Sequence, residues 1–218
     1  KREEGEAVAQ EMRDEGFDAE SLELDVESDA SVGRLAQRCL SADDAWGVPV
    51  PDILINNAGV CLEGSERSAY FRSVQVNFFG ALRVIQALAQ AMRDRRSSCI
   101  VNVSSGEGEL VYLCSRLQEL LPIVDSVDEL CAVMDSCIDS ADGGEELAFG
   151  PTPSYSVSKA GLNALTRILA CHGTSSMLGG GVGVRAVCPG DVDTRMCFLE
   201  DKSEALSPAQ AALDIAWV

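Results

Sequence analysis

Tyr155 and Lys159 stand four residues apart in Tyr155-Ser156-Val157-Ser158-Lys159. On a helix that spacing puts a phenol and an ammonium on one face. A free tyrosine ionises near pH ~10 and is a reluctant acid or base at neutral pH. A neighbouring cation favours the phenolate and lowers that value. A tyrosine so tuned is a usable general acid/base, a contribution of roughly 10²- to 10⁴-fold in rate. Ser105 closes an apolar run and could donate a hydrogen bond to a carbonyl oxygen. Asn56-Asn57-Ala58-Gly59 closes another, and its small residues would let a flat ligand approach the backbone. Asn77 lies near the start of a long helical pattern. Taken singly, each has an ordinary reading: a surface tyrosine with a lysine one turn away, a strand-end serine, a turn, a capping asparagine.

The elements that must position these groups alternate between short apolar runs and helical periodicity. That pattern predicts an α/β fold with a parallel sheet. Residues 6–15 read as a helix closed by Gly16, and residues 21–26 (SLELDV) as a strand. A helix follows through Leu35 and Cys39, then a turn at 46–51 and a short buried strand at 53–55. Phe78, Leu82, Ile85, Ala89 and Met92 step by three or four, as one face of a long helix does. Residues 100–103 read as a strand, 155–170 as a helix with Leu162, Leu165 and Leu169 on one face, and 182–187 as a strand ended by Pro189-Gly190. Three strands thus end in small polar or turn residues, at Asn56, Ser104 and Cys188. In open α/β sheets a ligand binds outside the carboxyl ends of the strands, so these ends point to one shared site.

Residues 107–149 differ in character, with eleven acidic residues and one basic residue, Arg116. Leu110, Leu113, Leu117 and Leu120 have helical spacing, as do Val127, Leu130 and Met134. The regular apolar steps predict a helical pair, acidic outside and packed inside; a disordered acidic loop is the alternative. A formal net charge of −18 argues against nucleic acid and anionic membrane as partners. No apolar stretch is long enough to span a bilayer. Nine cysteines without a C-x-x-C pair, and a single His172, do not make a zinc site or a disulfide scaffold. Most of the cysteines are expected to be buried apolar residues of a protein in a reducing, cytoplasmic compartment. His172 reads as a helix-end residue.

Together and in this order, these residues resemble the short-chain dehydrogenase/reductase family. The matching pieces are Asp25 in LDV, Asn56 to Gly59 as NNAG, Asn77 in VNFFG, Ser104-Ser105 in NVSS, Tyr155 to Lys159 as YSVSK, and Pro189-Gly190 followed by Thr194. The long gap between Ser105 and Tyr155, with VNFFG and Ser207-Pro208-Ala209-Gln210, is similar to the carbonyl-reductase branch. The resemblance implies one NAD(P)-binding Rossmann-like domain over 1–218, a doubly wound parallel sheet with a helical insert at 107–149. It implies a small-molecule carbonyl substrate, reduced by NADPH with Tyr155 as proton donor. Lys159 would lower the tyrosine pKa and bind the nicotinamide ribose, Ser105 would hold the substrate oxygen, and Asn77 would fix a water leading from Lys159. Asp25 and Val26 would meet the adenine, Asn56, Ala58 and Gly59 the adenosine side, and Pro189, Gly190, Val192 and Thr194 the nicotinamide end. No metal is implied, and the insert implies a monomer.

The family's opening strand-helix-strand unit, with its glycine-rich turn, is expected to be missing before Lys1. The residues that choose NADP over NAD would fall there; Lys1 and Arg2 could pair with a 2′-phosphate or simply be a solvated helix start. A G-x-G-x-x-A string at 181–186 leads into a strand instead of following one, so it lacks the context the fingerprint needs. The rival readings are a dehydrogenase of a specific alcohol or steroid, and a non-catalytic nucleotide-binding fragment of the same fold. Pocket residues would come from 107–149 and from the loop around 196–199.

Overall fold

Helix α1 (Arg2–Asp14) stops before Gly16, whose φ of 95° turns the chain. The Phe17 N–H returns to the Met12 carbonyl across that turn, the usual way a glycine closes a helix. The computed structural model describes residues 2–40, 50–93, 98–171, 178, 181–194, 196 and 202–217. Helix α2 (Asp29–Leu40) begins where the Ser28 hydroxyl accepts the Ser31 N–H at 3.3 Å.

Three strands, β1 (Ile53–Asn56), β2 (Ser98–Val103) and β3 (Val182–Val187), form a parallel sheet in the order β1-β2-β3. The register sets Asn56 level with Asn102 and Val103 level with Val187. All three strands therefore finish on one edge of the sheet, followed by Asn57, Ser104 and Cys188. The expected strand at 21–26 does not form. A strand needs a neighbour for its N–H and C=O groups, and among the described residues none pairs with this segment. Its end instead folds into a turn, with the Ser28 N–H on the Asp25 carbonyl and the Asp25 N–H on the Ser31 hydroxyl. On β1, Ile53 and Ile55 share one face and are 61 % and 47 % exposed.

The long helix runs as α3 (Arg67–Val74), a π turn (Gln75–Gly80) and α4 (Ala81–Arg93). The expected apolar face is present: Phe78, Leu82, Ile85, Ala89 and Met92 are all buried. A π turn inserts one extra residue and rotates the side chains beyond it. It falls on Gln75-Val76-Asn77-Phe78-Phe79-Gly80, so it sets the direction of Asn77.

Residues 107–149 hold short 3₁₀ turns and two helices, α5 (Ser115–Leu120) and α6 (Val127–Asp142). Helix α6 is started by the Ser126 hydroxyl, which accepts the Glu129 N–H at 3.2 Å, with Asp128 and Glu129 in the first turn. Its Leu130, Met134, Cys137 and Ile138 are buried, against α3 and α7. Arg67 of α3 pairs with Asp139 and Asp142 of α6. Leu113 and Leu117 are buried as their spacing suggested, whereas Leu110 lies in a 3₁₀ turn and is exposed. The central helix, α7 (Pro153–Cys171), packs on β3 and is buried round most of its circumference. Helix α8 (Pro208–Trp217) ends the chain.

The cysteines depart from expectation. All eight described ones are free, but only Cys137 is buried; five are half-buried, and Cys171 and Cys188 are exposed. No helix among the described residues is long and apolar enough to cross a membrane. Lys1, His172, most of the turn at 46–51 and most of the loop at 196–199 lie outside the described residues.

Candidate active site

Tyr155 and Lys159 both sit on the buried first half of α7, one turn apart. The Lys159 ammonium lies 5.5 Å from the centre of the Tyr155 ring and donates to the Val103 carbonyl at 2.8 Å. Tyr155 and Ser105 lie close enough for the serine hydroxyl to favour the phenolate. Ser105 follows the end of β2, and its hydroxyl also accepts the Glu107 N–H at 3.2 Å, capping the 3₁₀ turn Gly106–Gly108. The phenol, the serine and the ammonium therefore converge at the carboxyl edge of the sheet.

The expected depression of the tyrosine pKa is not what the geometry produces. Burial pushes Tyr155 up to about 12, against a smaller lowering from the Ser105 hydrogen bond. The nearby Cys61, Glu107 and Cys188 push it the same way as burial. Burial also pulls Lys159 down to about 8. The reason is common to both groups: removal from water penalises whichever form is charged.

Asn77 is buried and reaches from the π turn to the loop after β1. Its amide oxygen accepts the Val60 N–H at 2.8 Å, and its nitrogen donates to the Val60 carbonyl and the Ser158 hydroxyl, each at 2.8 Å. Ser158 in turn donates to the Tyr155 carbonyl at 2.7 Å. Asn77 thus ties the β1 loop to α7 between the two key side chains. Gly59 belongs to that loop. A Cβ on it would lie 3.2 Å from the Asn77 amide oxygen and 3.7 Å from the Lys159 ammonium. Gly59 therefore sits close against Asn77 and the ammonium, where a larger side chain would be crowded.

Other expected residues are placed differently. The Asn56 amide donates to Asn102 at 2.9 Å, and Asn102 donates to Thr166 at 2.9 Å. The Asn56 side chain therefore joins a polar chain inside the sheet, where a fully buried Asn102 needs a partner. Asp25 is exposed and accepts the Glu27 N–H at 3.0 Å. Val26 packs against Gly80 and is held by Arg83, whose guanidinium reaches the Val26 carbonyl at 3.4 Å. Neither residue touches the Tyr155 group. Pro189, Gly190, Val192 and Thr194 follow β3 on the same sheet edge; Gly190 has a φ of 74°, and Val192 bridges to Leu206.

The sequence reading missed Cys61, Glu107, Thr152, Asn102, Arg83 and Asn163. Ser104 donates to Asn163 at 2.6 Å, and Asn163 donates to the Gly108 carbonyl at 3.1 Å. The 3₁₀ turn after Ser105 is thereby clamped to α7. A Cβ on Gly108 would meet the Lys159 carbonyl carbon at 2.9 Å and the Asn163 nitrogen at 2.9 Å. Backbone cannot yield as a flexible side chain can, so we expect Gly108→Ala to cost about 1–3 kcal/mol. It should also move Ser105 away from Tyr155. Chemical denaturation reads the first effect; a Gly108→Ala protein as stable as wild type would show that the turn and α7 do not press together.

Among the described residues there is no group of three potential metal ligands. At the sheet edge the Lys159 ammonium uses one of its three donors on the protein, with the small-residue backbone at Gly59 beside it.

Residues 1–115 match the family described as short chain dehydrogenase. The chain is 30 % identical over 241 residues to short-chain dehydrogenase/reductase 1 of Saponaria officinalis, covering 94 % of this chain and 76 % of that one. It is 27 % identical over 202 residues to carbonyl reductase (NADPH) 1 of Mus musculus, covering 89 % of this chain and 70 % of that one. The fold superposes on salutaridine reductase from Papaver somniferum with a TM-score of 0.79 at 22 % identity, covering 99 % of this chain and 83 % of that chain.

Proposed function

Because this chain belongs to the short-chain dehydrogenase/reductase family, we propose that it reduces the carbonyl group of aldehydes, ketones or quinones to an alcohol, with NADPH as the reductant. The observation that carries the reading is the buried Tyr155 with the Lys159 ammonium 5.5 Å from its ring, beside Ser105 where the strands end. The bound cofactor would supply the hydride that the carbonyl carbon receives. Ser105 and the Tyr155 hydroxyl would hold the carbonyl oxygen, and Tyr155 would give it a proton. A phenol raised to about 12 is protonated at neutral pH, the state a proton donor needs. An enzyme working by alcohol oxidation needs the phenolate, which this burial disfavours. Lys159 would meet the ribose hydroxyls with the donors not used on Val103. Asn77 would keep the β1 loop and α7 in register. Asp25 and Val26 would lie along the adenine side, and the 189–194 loop along the nicotinamide side. The name of the mouse relative, carbonyl reductase (NADPH) 1, supports the cofactor choice. The packing of α6 over α3 and α7, with acidic residues outward, supports a monomer; the free thiols fit a cytoplasmic setting.

The test is NADPH binding by fluorescence, then loss of reduced-nicotinamide absorbance with benzaldehyde or a simple quinone. Turnover is expected with NADPH and is expected to be at least about tenfold slower with NADH, a difference of about 1.4 kcal/mol. Alcohol oxidation without carbonyl reduction, or no turnover with either cofactor, would sink the reading.

A further inference from the structure

Glu107 lies two residues past Ser105, and its side chain is fixed rather than waving in water. One carboxylate oxygen accepts the Thr152 hydroxyl and, at 3.2 Å, the Ser156 hydroxyl. Thr152 and Ser156 are both nearly fully buried, and they bracket Tyr155 at the start of α7. The Glu107 N–H is bound to the Ser105 hydroxyl at the same time. The carboxylate and the nearby Thr152 both act on the Cys61 thiol, from the loop after β1. Glu107 is therefore held at both ends, its backbone on the serine and its carboxylate on the two residues that flank Tyr155 in sequence. Among the described residues no lysine or arginine forms an ion pair with it. Thr152 and Ser156 are neutral donors, so they fix its position without cancelling its charge.

A fixed negative charge two residues past Ser105, with no ion-pair partner among the described residues, acts on the substrate as well as on the protein. Its field also reaches the phenol, where it works in the same direction as burial. Resting on the reductase reading above, we propose that Glu107 is a specificity-determining residue: it makes the site take neutral or cationic carbonyl compounds and reject those carrying a carboxylate, sulfonate or phosphate. In a half-solvated setting a fixed charge near the substrate changes binding by about tenfold per unit of substrate charge. The chain's overall acidity also repels anions, but that field is long-range and is screened by salt.

The test compares kcat/KM for benzaldehyde, 4-carboxybenzaldehyde and 4-(trimethylammonio)benzaldehyde, with NADPH, in wild type and in Glu107→Gln. The amide can still accept from Thr152 and Ser156, so the substitution removes charge and keeps the fixed geometry. The ratio of variant to wild type for each aldehyde cancels intrinsic reactivity. That ratio is expected to be about tenfold higher for the carboxylate than for benzaldehyde, and lower for the ammonium than for benzaldehyde. Glu107→Ser is a second neutral variant, read in the same way if the glutamine protein is unstable. Glu109→Gln, an exposed neighbour, is the control for the long-range field and should leave all three ratios within about twofold of one another. Ratios that do not differ by more than twofold in the neutral Glu107 variants, or that move as far in Glu109→Gln, overturn the proposal while the reductase reading stands. A wild type that reduces none of the three aldehydes sinks that reading first and this inference with it.

Discussion

Tyr155→Phe is expected to lower kcat for carbonyl reduction by roughly 10²- to 10⁴-fold, the usual contribution of a positioned proton donor. The change removes one oxygen and nothing else. The ring stays packed in α7, where the residue is 9 % exposed. Ser105 does not lose all its partners, because its hydroxyl still accepts the Glu107 N–H. No buried polar group is stranded by the substitution, so stability should change by no more than about 1 kcal/mol. The Lys159 contact with Val103 is also independent of the phenol oxygen, so NADPH binding should survive. The expected pattern is thus a collapse of kcat with thermal unfolding and NADPH fluorescence close to wild type. A kcat within tenfold of wild type would mean that another group protonates the oxygen. Loss of folding together with activity would mean that the hydroxyl is structural.

How much of this was legible in the sequence depends on the range over which each signal acts. The long helix could be read because Phe78, Leu82, Ile85, Ala89 and Met92 are spaced by the helix itself. The strand at 182–187 could be read for a similar reason, and its bounds match β3. Residues 21–26 have strand-like composition, but a ladder requires a neighbour, and composition carries no information about one. The π turn was invisible because it preserves the apolar face while rotating one polar residue, Asn77, toward Val60. Tyr155, Lys159 and Ser105 were found as a set because they share one end of the sheet. Glu107 was not found. Its role depends on Thr152 and Ser156 arriving from α7, and in the sequence it is one acid among eleven in that segment. The expected low tyrosine pKa failed in the same way. The spacing shows that a cation is near, but not that both groups are out of water, and burial is the larger effect here.

Lys159→Met should abolish reduction and yet give a more stable protein at neutral pH. Lys159 is 4 % exposed, and burial lowers its pKa from 10.5 to about 8. Each tenfold loss of proton affinity is worth about 1.4 kcal/mol, so holding the group charged in the folded state costs about 3 kcal/mol. Its hydrogen bond to Val103 returns about 1 kcal/mol. Methionine fills similar space without a charge, so a net gain of about 1–3 kcal/mol is expected, read as a higher denaturation midpoint. The pH dependence gives the sign. Below about 8 the lysine is charged in both folded and unfolded states, and the full cost is present. Between about 8 and 10.5 the unfolded chain still holds the proton that the folded protein has released, so wild-type stability rises with pH in that window. The advantage of Lys159→Met should shrink there and vanish above it. Burial also raises the thiols of Cys61 and Cys131 to about 11 and that of Cys137 to about 12, which makes stability fall as pH climbs past their ordinary value of 9.0. The loss from Cys131 and Cys137 is common to both proteins and cancels in the difference between them, whereas the Lys159 cation itself lowers the Cys61 thiol, so the share from Cys61 changes with the substitution. A Lys159→Met protein weaker than wild type at neutral pH, or a gap that stays constant from about pH 7 to about pH 10, would contradict the assignment of a buried, costly charge. If the gap closes as expected, the fold retains a destabilising ammonium at the carboxyl ends of its strands, with one of three donors used on Val103, which is how a functional group differs from a structural one.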